Sequence, residues 1–330
     1  MGEKIMDKKF DVVALGELLV DFTQGENSSC GNWTFEANAG GAPCNVLAML
    51  SKLGRKTAFI GKVGADFFGE MLEEKIKSVG IDTKNLVKSK TEKTTLAFVH
   101  TDFSGDRSFS FYRNPGADAS LEKNEVREEI VASSKILHFG SLSMTNSCAA
   151  AATEIAISFA EKHGVLKSFD PNLRMNLWST ENLAKEKILF GISKCDILKI
   201  SEEELEFVTG ESDIQKGVGK IKSEFPIRLI TVTKGKKGCE AFYDYENAHF
   251  HIERPTFTSV KTIDTTGAGD TFCACVLHFI LETGYDFSNE TLEDALIFAN
   301  AASSLITTKK GALMSMPEVS DIDTLVKSGK

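Results

Sequence analysis

The 330-residue chain has no run of 18 or more apolar residues, so no helical membrane span is expected. Its first residues, Met1-Gly-Glu-Lys-Ile-Met-Asp-Lys-Lys9, mix charges and hold no apolar signal core, which makes the cytoplasm the expected compartment. The seven cysteines (30, 44, 148, 195, 239, 273, 275) include no CxxC pair. An odd, scattered set reads as reduced thiols, mostly in the core, not as zinc ligands or disulfides. Basic residues are in deficit: 38 Lys+Arg against 47 Asp+Glu give a net charge of −9, which argues against a nucleic-acid surface. An acidic chain that binds anionic phosphate must then focus positive potential locally, at helix termini, a few Lys/Arg or a metal. No Walker A sequence occurs anywhere. After the first strand, where a dinucleotide fold needs GxGxxG, Gly16-Glu17-Leu-Leu-Val-Asp21 has a single glycine, so a dehydrogenase reading loses its main support. Internal repeats, low-complexity tracts and Pro/Ser-rich linkers are also missing, and no second independent domain is drawn.

What the chain does have is regular alternation. Apolar, β-rich runs at Phe10–Leu15, Thr57–Ile60, Lys135–Phe139, Val165–Phe169, Asp196–Ile200 and Arg228–Thr233 are separated mostly by helical stretches, such as the alanine-rich 147–162. Such alternation predicts an α/β fold, a mainly parallel sheet covered by helices on both faces. Thr94–His100 and Arg107–Arg113 around Asp102-Phe-Ser-Gly-Asp106 carry a hairpin signal. Together with residues 17–37 they are expected to form a small β-sheet lid, built from about 17–37 and 94–115, standing off the main body. Residues 22–37 read as a loop with a short exposed strand, and the last dozen residues as peripheral.

Two glycine-rich stretches stand before helices. Asn38-Ala-Gly40-Gly41-Ala-Pro43-Cys-Asn45 precedes a helix over 46–53, where Asn45 can donate and accept at once, as a polyol requires. Asp264-Thr-Thr-Gly267-Ala-Gly269-Asp270 feeds an almost wholly apolar helix. At such a junction bare backbone approaches a ligand closely, and unpaired N–H groups with the helix dipole suit phosphate. Asp270 then has two readings: it holds and deprotonates an attacking hydroxyl, or it caps the helix. Asp170-Pro-Asn172-Leu-Arg174 puts three polar side chains at the carboxyl end of a strand, the edge where open α/β sheets carry ligands. Asp21 falls just past the first strand, and Arg113 ends another; each reads as a ligand contact or a solvated surface residue.

Taken together, Ala39-Gly-Gly-Ala-Pro-Cys-Asn45 and Asp264-Thr-Thr-Gly-Ala-Gly-Asp-Thr271 resemble the motifs of the ribokinase-like (PfkB) carbohydrate kinases, over about residues 10 to 318. Gly16–Asp21, Phe111-Tyr-Arg-Asn-Pro-Gly-Ala-Asp118, Asp170–Arg174 and Lys199-Ile-Ser-Glu-Glu-Glu204 are most similar to the fructokinase branch. The resemblance implies a three-layer α/β/α fold and a cytoplasmic kinase that uses ATP, Mg2+ and K+. Asp270 would be the base, and the amides of Gly267, Ala268 and Gly269 the anion hole. Asp21, Gly40, Gly41 and Asn45, with Arg113 and Arg174, would bind the sugar. Thr233, Gly235, Gly238 and Asn300 would hold the nucleotide, with Asn172 and Lys199 towards its phosphates. Glu204 would act on magnesium through water, although the family's NxxE reads Ser201-Glu-Glu-Glu204 here. Asp264, Thr266, Ile306, Gly311 and Ser315 would form a potassium site. The implied acceptor is fructose first, then ribose, a 2-keto-3-deoxy sugar acid or a nucleoside. A homodimer through the lid is a further implication. A sugar-sensing protein on the same fold is the non-enzyme alternative, and it predicts a damaged base or anion hole.

Overall fold

The computed structural model describes residues 8–101, 107–245 and 248–329. The chain opens with Phe10–Leu15 (β1), Leu19–Gln24 (β2), Phe35–Gly40 (β3), Ala42–Lys52 (α1), Thr57–Gly64 (β4), Phe67–Ser78 (α2) and Ile81–Ser89 (β5). It continues through Leu96–Thr101 (β6), Arg107–Tyr112 (β7), Glu128–Ala132 (α3), Ser134–Gly140 (β8), Ser147–Lys162 (α4), Leu166–Asp170 (β9) and Glu181–Lys194 (α5). Then come Ile197–Ser201 (β10), Glu202–Thr209 (α6), Ile214–Glu224 (α7), Leu229–Thr233 (β11), Cys239–Tyr245 (β12) and Ala248–Arg254 (β13). Ala268–Glu282 (α8), Asn289–Ile306 (α9) and Val319–Ser328 (α10) close it.

Nine strands form the main sheet in the order β13-β12-β11-β10-β9-β8-β1-β4-β5. The seven from β11 to β5 pair in parallel, and β12 and β13 add an antiparallel edge. β1 and β4 are buried on both faces, which is why Val12–Leu15 and Ala58–Ile60 read as apolar runs with no alternation, whereas the edge strand β5 alternates. One face packs on α1, α2, α8, α9 and α10; the other packs on α3 to α7. The layers are therefore α/β/α, as the alternation predicts. α8 lies between α1 and α9 with Phe272 to Leu277, Ile280 and Leu281 all buried. Burial of each such large side chain contributes about 1.5–3 kcal/mol, so this helix is a poor candidate for movement.

A second sheet, in the order β3-β2-β6-β7, stands beside the first. β6 and β7 pair antiparallel as the hairpin signal requires, whereas their turn, 102–106, lies outside the described residues. Three local readings change. Asp21 lies inside a strand, β2, and pairs with Asn38 of β3 instead of following the first strand as a turn residue. α1 begins at Ala42, four residues earlier than the apolar run suggests, because Gly41 and Pro43 form its N-terminus. The C-terminal residues form α10, whose Ile322 and Leu325 join the core.

Candidate active site

The carboxyl ends of β1, β9, β10 and β11 share one edge of the main sheet, so the residues that follow them converge. Between this edge and the smaller sheet is a cavity of ≈ 380 Å3, lined among others by Asp21, Gly41, Asn45, Arg113, Asn172, Arg174, Lys199, Thr266, Gly267, Gly269 and Asp270. A second cavity of ≈ 600 Å3 is lined by Thr233, Gly235, Gly238, Ala268, Gly269, Asn300 and the apolar Phe257, Val260 and Phe272. Thr265 and Gly269 belong to both linings. The glycine loop is thus the partition through which the two spaces meet.

Gly267 caps α8 in the left-handed conformation (φ 79°), and a Cβ on it would come within 2.7 Å of Ala312 Cβ. Ala268 N already donates weakly to Thr265 O at 3.3 Å. Asp270 is the third helical residue and does not cap; its carboxylate accepts instead from Asn45 Nδ2 at 2.8 Å. Asn45 Oδ1 is buried with no partner among the described residues. It is therefore an acceptor with an unmet hydrogen bond beside the carboxylate. Burial, with help from the Asp170 charge, pushes the Asp270 carboxyl up to about 6, against the hydrogen bond from Asn45 and the charges of Lys199 and Arg174. Asp21 is pushed up to about 7, by burial first and then by Asp264 and Asp270, against the pull of Arg174. Gly40 sits behind it, where any Cβ would overlap the Asp21 carboxylate.

Lys199 and Asp170 form a buried ion pair, with Nζ 3.0 Å from Oδ2. Burial disfavours the ammonium, yet the Asp170 and Glu204 carboxylates hold its pKa above the ordinary lysine value. Lys199 and Asn172 line the first cavity and not the larger second one. Glu204 lines neither, because its carboxylate is structural: Oε1 accepts from Leu173 N at 2.7 Å, and Oε2 from Ser201 N at 2.9 Å. The Ser201 hydroxyl oxygen in turn accepts from Glu204 N at 3.1 Å, a capping box that opens α6, while the bond from Leu173 N fixes the 170–174 turn above it. Asn300 donates to Pro255 O at 3.0 Å and so holds the segment after β13 against the second cavity.

Behind the partition, Asp264 Oδ1 accepts from Thr266 N at 2.7 Å and Oδ2 from Gly311 N at 3.2 Å. This joins the glycine loop to the 306–315 loop. Ile306 is fully buried, with its Cδ1 3.4 Å from a Cβ placed on Gly267. Ser315 donates to Lys310 O at 2.7 Å. Among the described residues no group of three or more His, Cys, Asp or Glu is placed to hold a metal ion.

Lining residues that the sequence did not single out include Glu17 and Asp118 in the first cavity and Phe257, Val260 and Phe272 in the second. Glu17 and Asp118 lie inside the motifs Gly16–Asp21 and Phe111–Asp118, so a residue-by-residue reading of those motifs carried the signal. Phe272 gave none, because it is one apolar residue in an apolar helix.

Known proteins resemble the chain along nearly its whole length. A family model described as "pfkB family carbohydrate kinase" matches residues 9–319. Fructokinase-2 of Solanum lycopersicum is 38% identical over 321 residues, covering 96% of each chain. The crystal structure of a fructokinase with bound ATP from Xylella fastidiosa superposes with a TM-score of 0.87 at 30% identity, over 98% of this chain and 99% of that one. A double-mutant fructokinase of Vibrio cholerae O395, in its fructose-, ADP- and potassium-bound form, gives a TM-score of 0.83 at 29% identity, over 97% and 99%. On the strength of the match across nearly its whole length, the chain belongs to the pfkB family of carbohydrate kinases, with the ribokinase-like fold.

Proposed function

We propose that the protein transfers the γ-phosphate of ATP to the primary hydroxyl of a ketose, with D-fructose as the acceptor and D-fructose 6-phosphate as the product. The observation that carries this reading is the meeting of two cavities at Thr265 and Gly269, with a buried carboxylate, Asp270, on the smaller side. A sugar in the smaller cavity donates one hydroxyl to Asn45 Oδ1 and another to Asp270. A nucleotide in the larger cavity lays its base along Phe257, Val260 and Phe272 and brings its γ-phosphate to the partition. Asp21 holds further sugar hydroxyls, and Gly40 and Gly41 leave room for them.

Phosphoryl transfer passes through a loose transition state, so catalysis is chiefly positioning and charge stabilisation. Asp270 orients the attacking hydroxyl and accepts its proton as the bond to phosphorus forms. Backbone amides at 267–269 and the dipole of α8 stabilise the phosphoryl oxygens. Lys199, kept charged by Asp170, adds a cation on the same side. Magnesium would be held mostly by the phosphates of ATP and by water and would supply charge neutralisation there; Glu204 keeps the 170–174 turn in place through Leu173 N. One carboxylate, Asp264, with carbonyl and hydroxyl oxygens of Thr266, Ile306, Gly311 and Ser315, is a low-charge oxygen set that fits a monovalent cation such as potassium. A bound cation would stiffen the loops that carry the partition.

The test is ADP release coupled to a colour reaction, with ATP and magnesium, with and without potassium, across fructose, ribose, 2-keto-3-deoxygluconate and adenosine. Strongest turnover with fructose supports the proposal. Sugar binding without turnover of any acceptor would sink it in favour of a sugar sensor.

A further inference from the structure

The first cavity contains an arginine that is already occupied. Arg113 Nε donates to Asp118 Oδ2 at 2.8 Å, and Nη2 approaches the same oxygen at 2.7 Å. Nη1 donates to Thr145 Oγ1 at 2.8 Å and Nη2 to Leu142 O at 3.3 Å. The other oxygen of Asp118 accepts from the Thr95 hydroxyl. The two side chains are 7% and 1% exposed, so this pair is a fixed wall and not a surface contact. Gly116 lies in the turn between them, where a Cβ would overlap Thr95 Oγ1 and stand 2.8 Å from both Arg113 Cγ and Asp118 Oδ1. That turn has no space for a side chain other than glycine's.

Resting on the sugar-kinase reading above, we propose that Asp118 sets the substrate class: by sequestering the Arg113 guanidinium it bars sugar acids and leaves the cavity to uncharged ketoses. An arginine at a sugar site is ordinarily the natural partner of a substrate carboxylate. Here a sugar acid must displace Asp118 from the guanidinium, which leaves a buried carboxylate unpaired, the costliest way to break such a pair. The surroundings oppose the acid as well. Four carboxylates, Glu17, Asp21, Asp118 and Asp270, line the cavity against three cationic side chains, and one of those, Lys199, is paired with Asp170. An uncharged polyol meets no such penalty and finds acceptors throughout. Rejection through a like charge already in place is specificity by repulsion.

The test compares kcat/KM for fructose and for 2-keto-3-deoxygluconate in the full chain and in two variants, Asp118→Asn and Glu17→Gln. The wild type should favour the neutral sugar by about a hundredfold or more. Asp118→Asn should raise the acid-to-neutral ratio about tenfold or more, since it frees the guanidinium without changing the volume of the wall. Loss of structure alone would depress both substrates and leave their ratio unmoved. Burial raises the Glu17 carboxyl to about 7, so above that pH Glu17→Gln removes the other negative charge on this wall while keeping an oxygen for the Ala42 amide; measured there, it should move the ratio the same way even if Asp118→Asn does not fold. An unchanged ratio in the folded variants, or a wild type that already prefers the acid, overturns the inference while leaving the kinase reading intact. Turnover of neither sugar by the wild type overturns the kinase reading itself, and this inference with it.

Discussion

Asp270 stands one turn inside α8, and its carboxylate is directed at Asn45, so its tasks in folding and in chemistry can be separated. Gly267 caps the helix. Asparagine at 270 keeps an oxygen for Asn45 Nδ2 but cannot take a proton. Asp270→Asn should therefore lower kcat by roughly two orders of magnitude or more, the usual range for a general base, with little change in the KM for sugar. Steady-state kinetics check this, and a near-normal kcat removes the base assignment. Stability should respond to pH in a specific direction. The folded state holds the Asp270 proton up to about pH 6, whereas the unfolded chain releases it near the ordinary value of 3.8. The stabilisation is present below the unfolded value and is lost as pH rises through the folded one. Relative to wild type, Asp270→Asn should gain stability between about pH 4 and pH 6, on the order of 3 kcal/mol, and then level off. Thermal melts of both proteins across that window read the difference directly, and a difference that does not vary with pH would mean the carboxylate is not perturbed.

At the scale of elements, the smaller sheet carries its ligand residues through pairing register. Leu19 faces Gly40, Val20 faces Ala39 and Asp21 faces Asn38. Asp21 can lie against Gly40 only because that position has no Cβ. Gly40→Ala should displace the Asp21 carboxylate and raise the KM for sugar about tenfold or more, with the KM for ATP little changed, in a two-substrate kinetic analysis. The capping box at α6 explains how the chain tolerates serine where the family motif has asparagine. Both residues are good N-caps, so Ser201→Asn should change stability by less than about 0.5 kcal/mol, while Ser201→Ala costs about 1 kcal/mol in denaturant unfolding. These elements also mark what the sequence could reveal. Six of the seven parallel strands and α4 were legible because burial on both faces, or an alanine-rich run, writes itself into composition; the edge strand β5, polar on one face, was not. The glycine loop and Asn45 were legible because backbone approach demands glycine and a polyol demands a two-way polar group. The pairing of Asp21 within β2, the commitment of Arg113 to Asp118 and the bond from Leu173 N to Glu204 were not, although the Ser201–Glu204 capping box is a local pattern. Each depends on a partner that lies in a different element or is reached through a turn, and no local pattern of residues encodes that meeting.

For the whole molecule, the question is how the smaller sheet behaves as a unit, since it covers the first cavity while the core beneath stays fixed. We propose that it acts as a lid. Leu19, Asp21 and Phe111 reach the cavity from this sheet, whereas Asn45, Lys199 and Asp270 reach it from the main body. It is attached by packing as well as by hydrogen bonds: Val20 and Ala39 join the core, and Phe22 meets Phe68 of α2 edge to face. Asp66 caps α2 through Gly69 N and also accepts from Thr94 N and Oγ1, which pins the chain just before β6. Glu17 accepts from Ala42 N, which ties the start of β2 to α1. β2 and β3 grow more exposed away from these attachments, and such strand ends open at lower cost than the buried β8 to β11. A sugar bonded to Asp21 on one side and to Asn45 and Asp270 on the other would bridge lid and body, and closure would exclude water from the phosphoryl group. In hydrogen exchange, fructose should slow the amides of β2, β3 and β6 about tenfold or more while those of β8 to β11 stay unchanged. ATP alone should protect the second cavity, around β11 and α9, and leave the lid strands as they were. Equal exchange of the lid strands with and without sugar would show that they are a fixed wall of the cavity, and water would then have to be kept out by the side chains of the first cavity alone.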